Sequence, residues 1–288
     1  MHITAGRCFR NRTALACVGM LLLLVVGCGY AEYEQRLGET RKYYAHLDRI
    51  EQSLAPKPKW TDPYKILELR VPRQFAPIPP APLVKKEDGT IEQAAIDPRQ
   101  PDYLNLIFGD PQHPEYPELI GAWDSMFKVA KGNGLNEDRK GYIYALSNYW
   151  ALSGEHATDA ADFVNRLETY LTDTLQIPAA PQPKDRQPEV FPKTSPAYQV
   201  QLSYDHFSFP GKNIDGINYT FEVYSRKSGS VIGVLVLVLP EGIDTQQKIN
   251  ERIPMMLESF TVTPNPPALP SDKNSPAQGN PVQTAPGF

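Results

Sequence analysis

Apolar and polar residues alternate from Tyr198 to Asp205, with Tyr198, Val200, Leu202 and Tyr204 against Gln199, Gln201, Ser203 and Asp205. The same period returns at Ile217, Tyr219, Phe221 and Val223, set against Asn218, Thr220, Glu222 and Tyr224. Side chains of a strand point to opposite faces in turn, so both segments are expected to be half-buried strands. Lys227-Ser228-Gly229 turns the chain into Val231–Leu239, an unbroken apolar run. That run is too short to span a membrane as a helix and suits a central strand covered on both faces. Ile66–Val71 alternates until Pro72 closes it, and Tyr103–Phe108 and Tyr142–Leu152 read as further strands.

Helical spacing appears in three places. From Tyr30 to Leu54 the chain is rich in Glu, Arg, Lys, Ala and Leu, with an apolar stripe through Tyr33, Leu37, Tyr44, Leu47 and Leu54. A heptad would put Thr40 and Glu51 in the seam, so the stripe predicts an amphipathic helix rather than a coiled coil, about 35 Å long. Pro56 and Pro58 end it. Thr158 caps a second helix, whose apolar face holds Phe163, Leu167, Tyr170 or Leu171, and Leu175. Asp244 or Thr245 opens a third, with Ile249, Ile253, Met256 and Phe260 on one side and Pro254 expected to break or kink it. Tyr116–Ala130 carries mixed signals and reads as a short helix.

Strands and helices in this order predict an α+β fold: a mostly antiparallel sheet with helices packed on both faces. The expected organisation is a signal segment at 1–27, a cysteine and helical tether at 28–58, and one globular domain at 59–263. Proline-rich loops at 72–101 and 178–196 interrupt that domain. A proline-rich tail at 264–288 has too little apolar surface to order itself and is expected to be disordered.

The first residues carry a distinct pattern. Arg7, Arg10 and Arg12 are the charged residues before Cys28, and an uncharged, mostly apolar run from Ala14 to Val26 follows them. A positive segment, an apolar core and small residues at a cut site define an export signal. Val25-Val26-Gly27-Cys28 resembles the lipobox of bacterial lipoproteins. The resemblance implies diacylglycerol on the Cys28 sulfur, cleavage before it, and the body held outside the cytoplasm on a cell or outer membrane. An uncleaved spanning anchor over 14–31 predicts the same topology, because the arginines stay inside. A buried helix of a soluble protein is the remaining alternative.

Cysteine and charge follow from that reading. The cysteines are Cys8, Cys17 and Cys28. Cleavage would leave only the lipidated one, so the body has no disulfide and relies on its core. The chain has 29 basic and 33 acidic residues, and loss of the three arginines moves its net charge from −4 to −7. An acidic body lacks the electrostatic footprint of a nucleic-acid binder.

The last third resembles PsbP-like domains, the family of the extrinsic photosystem II subunit. The residues that carry this are the aromatic strand Ile217–Tyr224, the apolar strand Val231–Leu239, the helix Ile249–Leu257 and the closing Ser259-Phe260-Thr261-Val262. Val71-Pro72-Arg73-Gln74-Phe75 matches the opening of such domains. The resemblance implies a sheet layered between helices and a non-catalytic binding or assembly module.

The search for chemistry yields little. His46, His113, His156 and His206 show no metal-ligand spacing. Asp110, His113 and Glu115 form a ligand-like set between prolines that reads better as a rigid turn. Ser153-Gly154-Glu155-His156 lacks the strand–elbow–helix setting of a hydrolase nucleophile. Asp205-His206 reads as a pair ending a strand. Lys131-Gly132-Asn133-Gly134 is a turn rather than a phosphate cradle, and no G-x-S-x-G, P-loop or dinucleotide fingerprint occurs. No catalytic residue, cofactor or metal is therefore expected. Tyr142, Tyr144, Tyr149 and Trp150 read as core, and Trp123, Met126 and Phe127 are the candidate exposed apolar surface. The leading expectation is a membrane-tethered module that binds another envelope protein. A small-molecule or cell-wall ligand binder and a hydrolase are the alternatives.

Overall fold

The computed structural model describes residues 7–89, 91–93, 97–101, 103, 118–130, 135–152, 162–175, 186–194 and 199–264; side chains are described from Tyr30 onward, except at 91–93 and 210–211. The described chain falls into two units, one holding the first helix together with Lys193–Val200, the other holding Leu54–Pro192 and the chain from Gln201.

In the first unit, α1 runs over Arg7–Ser53. Arg36 and Glu32 form an i,i+4 ion pair at 2.5 Å, and Gln35 donates to Glu39 at 3.1 Å. The expected stripe is shielded at its leucines and not at its tyrosines. Tyr33 and Tyr44 are 61% and 62% exposed, whereas Leu37, Tyr43, Leu47 and Ile50 are half-buried. Tyrosine carries a polar tip that tolerates water, so its spacing misleads where that of leucine does not. Among the described residues no helix is long and apolar enough to cross a membrane. The side chains of the signal segment and of Cys28 lie outside the described residues.

The second unit is α+β. Its short strands are β1 (Trp60–Thr61), β2 (Leu67–Leu69), β3 (Ala76–Pro77), β4 (Leu83–Lys85) and β5 (Ile91–Gln93). The long ones are β6 (Leu119–Ala130), β7 (Asn136–Ser147), β9 (Leu202–Ile214), β10 (Ile217–Ser228) and β11 (Val231–Pro240). β8 (Gln187–Phe191) and β12 (Thr261–Val262) complete the strands, with α2 at Phe163–Leu175 and α3 at Ile249–Ser259. Seven strands form one sheet in the order β3-β6-β7-β11-β10-β9-β8, antiparallel throughout. β1, β2 and β12 form a second, and β4 and β5 a hairpin.

β11 occupies the centre as its apolar run requires, with Val234 to Val238 fully buried. Two faces of the sheet can be told apart by register. Tyr224, Leu235, Ala145 and Gly121 align on one, and Val223, Val236, Tyr144 and Ala122 on the other. The first face carries α3 and the small sheet: Tyr204 donates its hydroxyl to the Leu257 carbonyl at 2.6 Å. Gly233 has no side chain because Val262, Leu67 and Phe260 occupy the space, where a Cβ would come within 2.7–2.9 Å of them. On the second face, Arg186 lies 5.2 Å over the Phe207 ring and binds Asn165 and Glu168 of α2. There too the Tyr144 hydroxyl donates to the Arg99 carbonyl at 2.9 Å. Helices thus cover both faces.

Several expectations need correction. Tyr116–Ala130 is not a short helix: from Leu119 it is β6, paired with β7 along its length. Its first half is buried on both faces and only its second half alternates, which hides the period of two. Tyr142–Leu152 starts inside β7, which begins at Asn136 and gives way to a helical turn at Trp150–Leu152. The loop at 178–196 contains β8, and that at 72–101 contains β3, β4 and β5. The alternation at Tyr198 begins too early: β9 starts at Leu202, and Val200 is 80% exposed. β9 then runs to Ile214, because Asp215 and Gly216, both at positive φ, make the two-residue turn into β10. The last helix is divided by Lys248, at φ 52°, into a turn capped by Asp244 and α3. Pro254 does not break α3, whose Ile253, Met256 and Leu257 are buried on either side of it. The segment 104–108, Thr158 and the tail from 265 lie outside the described residues.

Candidate functional site

A cleft among the described residues sits at the β3 edge of the large sheet. Three stretches build it: Trp60 with Pro63, Pro77 to Pro80, and Ile120 to Trp123. It holds about 440 Å³ and opens to solvent. Each stretch is placed for a local reason. Asp62 is buried at 2% exposure and accepts backbone N–H groups from Tyr64, Ile66 and Leu67 at 2.7, 2.7 and 2.5 Å. That fixes the turn between β1 and β2, and hence Trp60 and Pro63. The Ile78 N–H donates to the Ala122 carbonyl at 2.8 Å, which seats the proline stretch along β6. Gly121 lets the two tryptophans close over β6, since a Cβ there would fall 2.6 Å from Trp123 and 2.8 Å from Trp60. The Trp60 and Trp123 rings meet edge to face at 4.9 Å.

None of the lining residues carries a titratable group. Pro77, Pro79 and Pro80 are exposed, Trp60, Ile78 and Ile120 half-buried, and Trp123 buried at 3%. Such a surface offers apolar contact and aromatic faces. It offers no acid, base or nucleophile to a bound molecule.

The candidate surface Trp123, Met126 and Phe127 is therefore divided. Met126 is 55% exposed, Trp123 forms the floor of the cleft, and Phe127 is fully buried against Phe75. In a strand these residues alternate, so Trp123 and Phe127 share the inward face while Met126 points away. Tyr142, Tyr144 and Tyr149 are core as expected, and Trp150 is half-buried beside Tyr64 at 4.8 Å. Sequence reasoning missed Trp60 and the prolines at 77–80. Their signal was the prolines spaced along an edge strand.

The titratable groups elsewhere serve the fold. His206 lies in the middle of β9 rather than at a strand end, stacked on Tyr224 at 4.4 Å with its Nδ1 3.3 Å from Glu189. The Tyr224 hydroxyl donates to Glu222 at 2.8 Å. Burial, with the neighbouring Glu222 carboxylate, pushes that phenol well above its ordinary range. Burial likewise raises Tyr103, Tyr144 and Tyr204, keeping the phenols protonated, and Tyr144 and Tyr204 use the proton as donors. Burial also raises the Asp62 carboxyl, against the lowering pull of its three N–H donors. Among the described residues no group of His, Cys, Asp and Glu could hold a metal. His46 is half-buried on α1, while Asp110, His113, Glu115, Ser153, His156 and the turn at 131–134 lie outside the described residues.

No protein-family model matches the chain, and no curated protein matches it. Among solved structures it is similar to a protein of Bacteroides thetaiotaomicron VPI-5482, at 11% identity, with 71% of this chain and 48% of that one covered and a TM-score of 0.28. The chain spans about half the length of that protein, and a likeness this distant carries no argument about fold or function.

Proposed function

We propose that the protein is a non-enzymatic lipoprotein, held to a membrane of the cell envelope by lipid on Cys28, whose body docks another envelope protein through the cleft between Trp60 and Trp123. The observation that carries the docking role is the lining: apolar, aromatic and proline residues at a sheet edge, with no titratable group among them. An apolar surface that opens to solvent matches the core of a protein interface, where aromatics are enriched and charges depleted. The resemblance to PsbP-like domains, whose members assemble rather than catalyse, points the same way. The cleft has the volume of a small-molecule pocket but lacks the placed polar groups that orient such a ligand.

Two measurements test this. Intact mass of the purified mature protein should show a chain beginning at Cys28 with two or three acyl chains, all lost in Cys28→Ser; a full-length unacylated chain would sink the anchoring claim. A photo-crosslinking residue at Ile78 should give a discrete adduct in envelope membranes, and the same residue at Lys85 should not. Equal labelling from both positions would show that the cleft is not the docking surface.

A further inference from the structure

We infer that the group this cleft receives is an arginine side chain of the partner protein, with its guanidinium on the Trp60 ring and its N–H groups donating to the backbone carbonyls of the proline edge. The inference rests on reading the cleft as a docking surface and names the chemistry of what docks.

The edge dictates that chemistry. In an antiparallel ladder, residues whose backbone groups face the partner strand alternate with residues whose groups face away. The Ile78 N–H donates to the Ala122 carbonyl at 2.8 Å, so Ile78 faces β6 and Pro77 turns its carbonyl outward. Pro77, Pro79 and Pro80 are exposed and have no N–H, so these three offer acceptors and no donors. Addition of a strand needs both kinds of group and is denied here. A carboxylate or phosphate finds no counter-charge, because the lining carries no cation. Lys59, next to Trp60 in the chain, lies 3.8 Å from Glu68.

What fits is a group that only donates and that accepts an aromatic wall. Guanidinium is a flat fork of N–H donors with no acceptor; it is less strongly hydrated than an ammonium and stacks on aromatic faces. Tryptophan is the ring that holds a cation best. Trp60 is half-exposed, and Trp123 braces it edge-on at 4.9 Å, which fixes the ring as a platform. Gly121 makes room for that ring and its neighbour Ala122 holds Ile78, so platform and proline carbonyls border one cleft. Charge points the same way. Loss of the three N-terminal arginines takes the chain from −4 to −7, and an acidic body draws in a basic partner. Arginine is also among the residues that dominate the centres of protein interfaces.

The experiment uses the full mature chain labelled with fluorotryptophan, held in detergent micelles and read by fluorine NMR. Trp60, Trp123 and Trp150 give three signals, which Trp60→Tyr and Trp150→Phe assign. The probes are the acetylated amides of arginine, lysine and citrulline, the last keeping the shape of arginine without its charge. The arginine probe should shift the Trp60 signal saturably. The other two should need about tenfold higher concentration. Ile78→Lys, which sets a like charge at the half-exposed rim, should abolish the shift. No shift of Trp60 by arginine, or an equal shift by citrulline, would overturn recognition of a cation. An equal shift by lysine would overturn the planar fork as the feature read, and a shift confined to Trp150 would overturn the assignment to this cleft. In envelope membranes, the Ile78 crosslink should fade as the arginine probe is added and persist with citrulline. A crosslink that resists every probe would leave the docking role standing and sink this inference, which keeps the two apart.

Discussion

Both edge strands of the large sheet carry a proline, Pro188 in β8 and Pro77 in β3, and they differ in what is added to it. At the β8 edge the protection is electrostatic: Arg186 stacks on Phe207 and holds Glu168 and Asn165 of α2, while Glu189 faces His206 across to β9. At the β3 edge it is covalent, because a two-residue strand followed by Pro79 and Pro80 withholds the donors that pairing needs. Polar wiring turns the charges of this edge inward, toward α2 and β9, although Arg186 Nε and His206 Nε2 stay buried without a hydrogen-bond partner. Proline leaves the edge apolar, unpaired and open to contact. One edge is finished and the other is left available.

The sharpest way to break this comparison is to cut the wiring. Arg186→Ala leaves Glu168 buried at 6% exposure without its cation, and should cost about 3 kcal/mol in chemical denaturation. A loss below 1 kcal/mol would mean the β8 edge is not held this way. At the other edge, Asp62→Ala strips three buried N–H groups of their acceptor and should cost about 2 kcal/mol, loosening Trp60. Tyr204→Phe removes one buried hydrogen bond to Leu257 and should cost about 1 kcal/mol. Ile78→Lys touches only the rim, so stability should change by less than about 0.5 kcal/mol while the cleft loses its ligand.

The subtlest effect is with pH. Burial holds the Asp62 carboxyl above its ordinary value, so the native state binds that proton more tightly than the unfolded chain does. Its contribution favours folding below the ordinary aspartate range and is lost as pH rises through the shifted value. Measured against Asp62→Asn, which does not titrate, the wild type should lose relative stability on going from acid to neutral pH. The opposite slope would show that the three N–H donors outweigh burial.

What the sequence made legible follows from how many surroundings each segment has. β10 has one, a buried face and a wet one, and its alternation was plain; β11 is covered on both sides, and its unbroken apolar run said so. β6 has two surroundings in one strand, so neither period dominates, and Phe127, expected on an exposed surface, lies in the core. α2 showed its face because Phe163, Leu167, Leu171 and Leu175 share it without a polar intruder. The cleft was not legible, since its three stretches lie far apart in the chain and its prolines read as loop. Asp215-Gly216, by contrast, is a readable signal for a tight hairpin, and it carries β9 through to Ile214.

The position of β11 between β7 and β10 has a consequence for the order in which the molecule can assemble. The β6–β7 hairpin leaves the ribosome well before β11, and it keeps a bare edge until residues 233–238 arrive to pair with 142–147. Asn148, which accepts from the Ile232 N–H at 2.7 Å and donates to Ser230 at 3.2 Å, can lock that junction only then. β2 waits longer still, for β12 at residues 261–262. Contacts of such sequence separation form slowly. The emerging chain therefore stays open until residues 261–262 have been made, the state in which a polypeptide can still be threaded through a narrow channel.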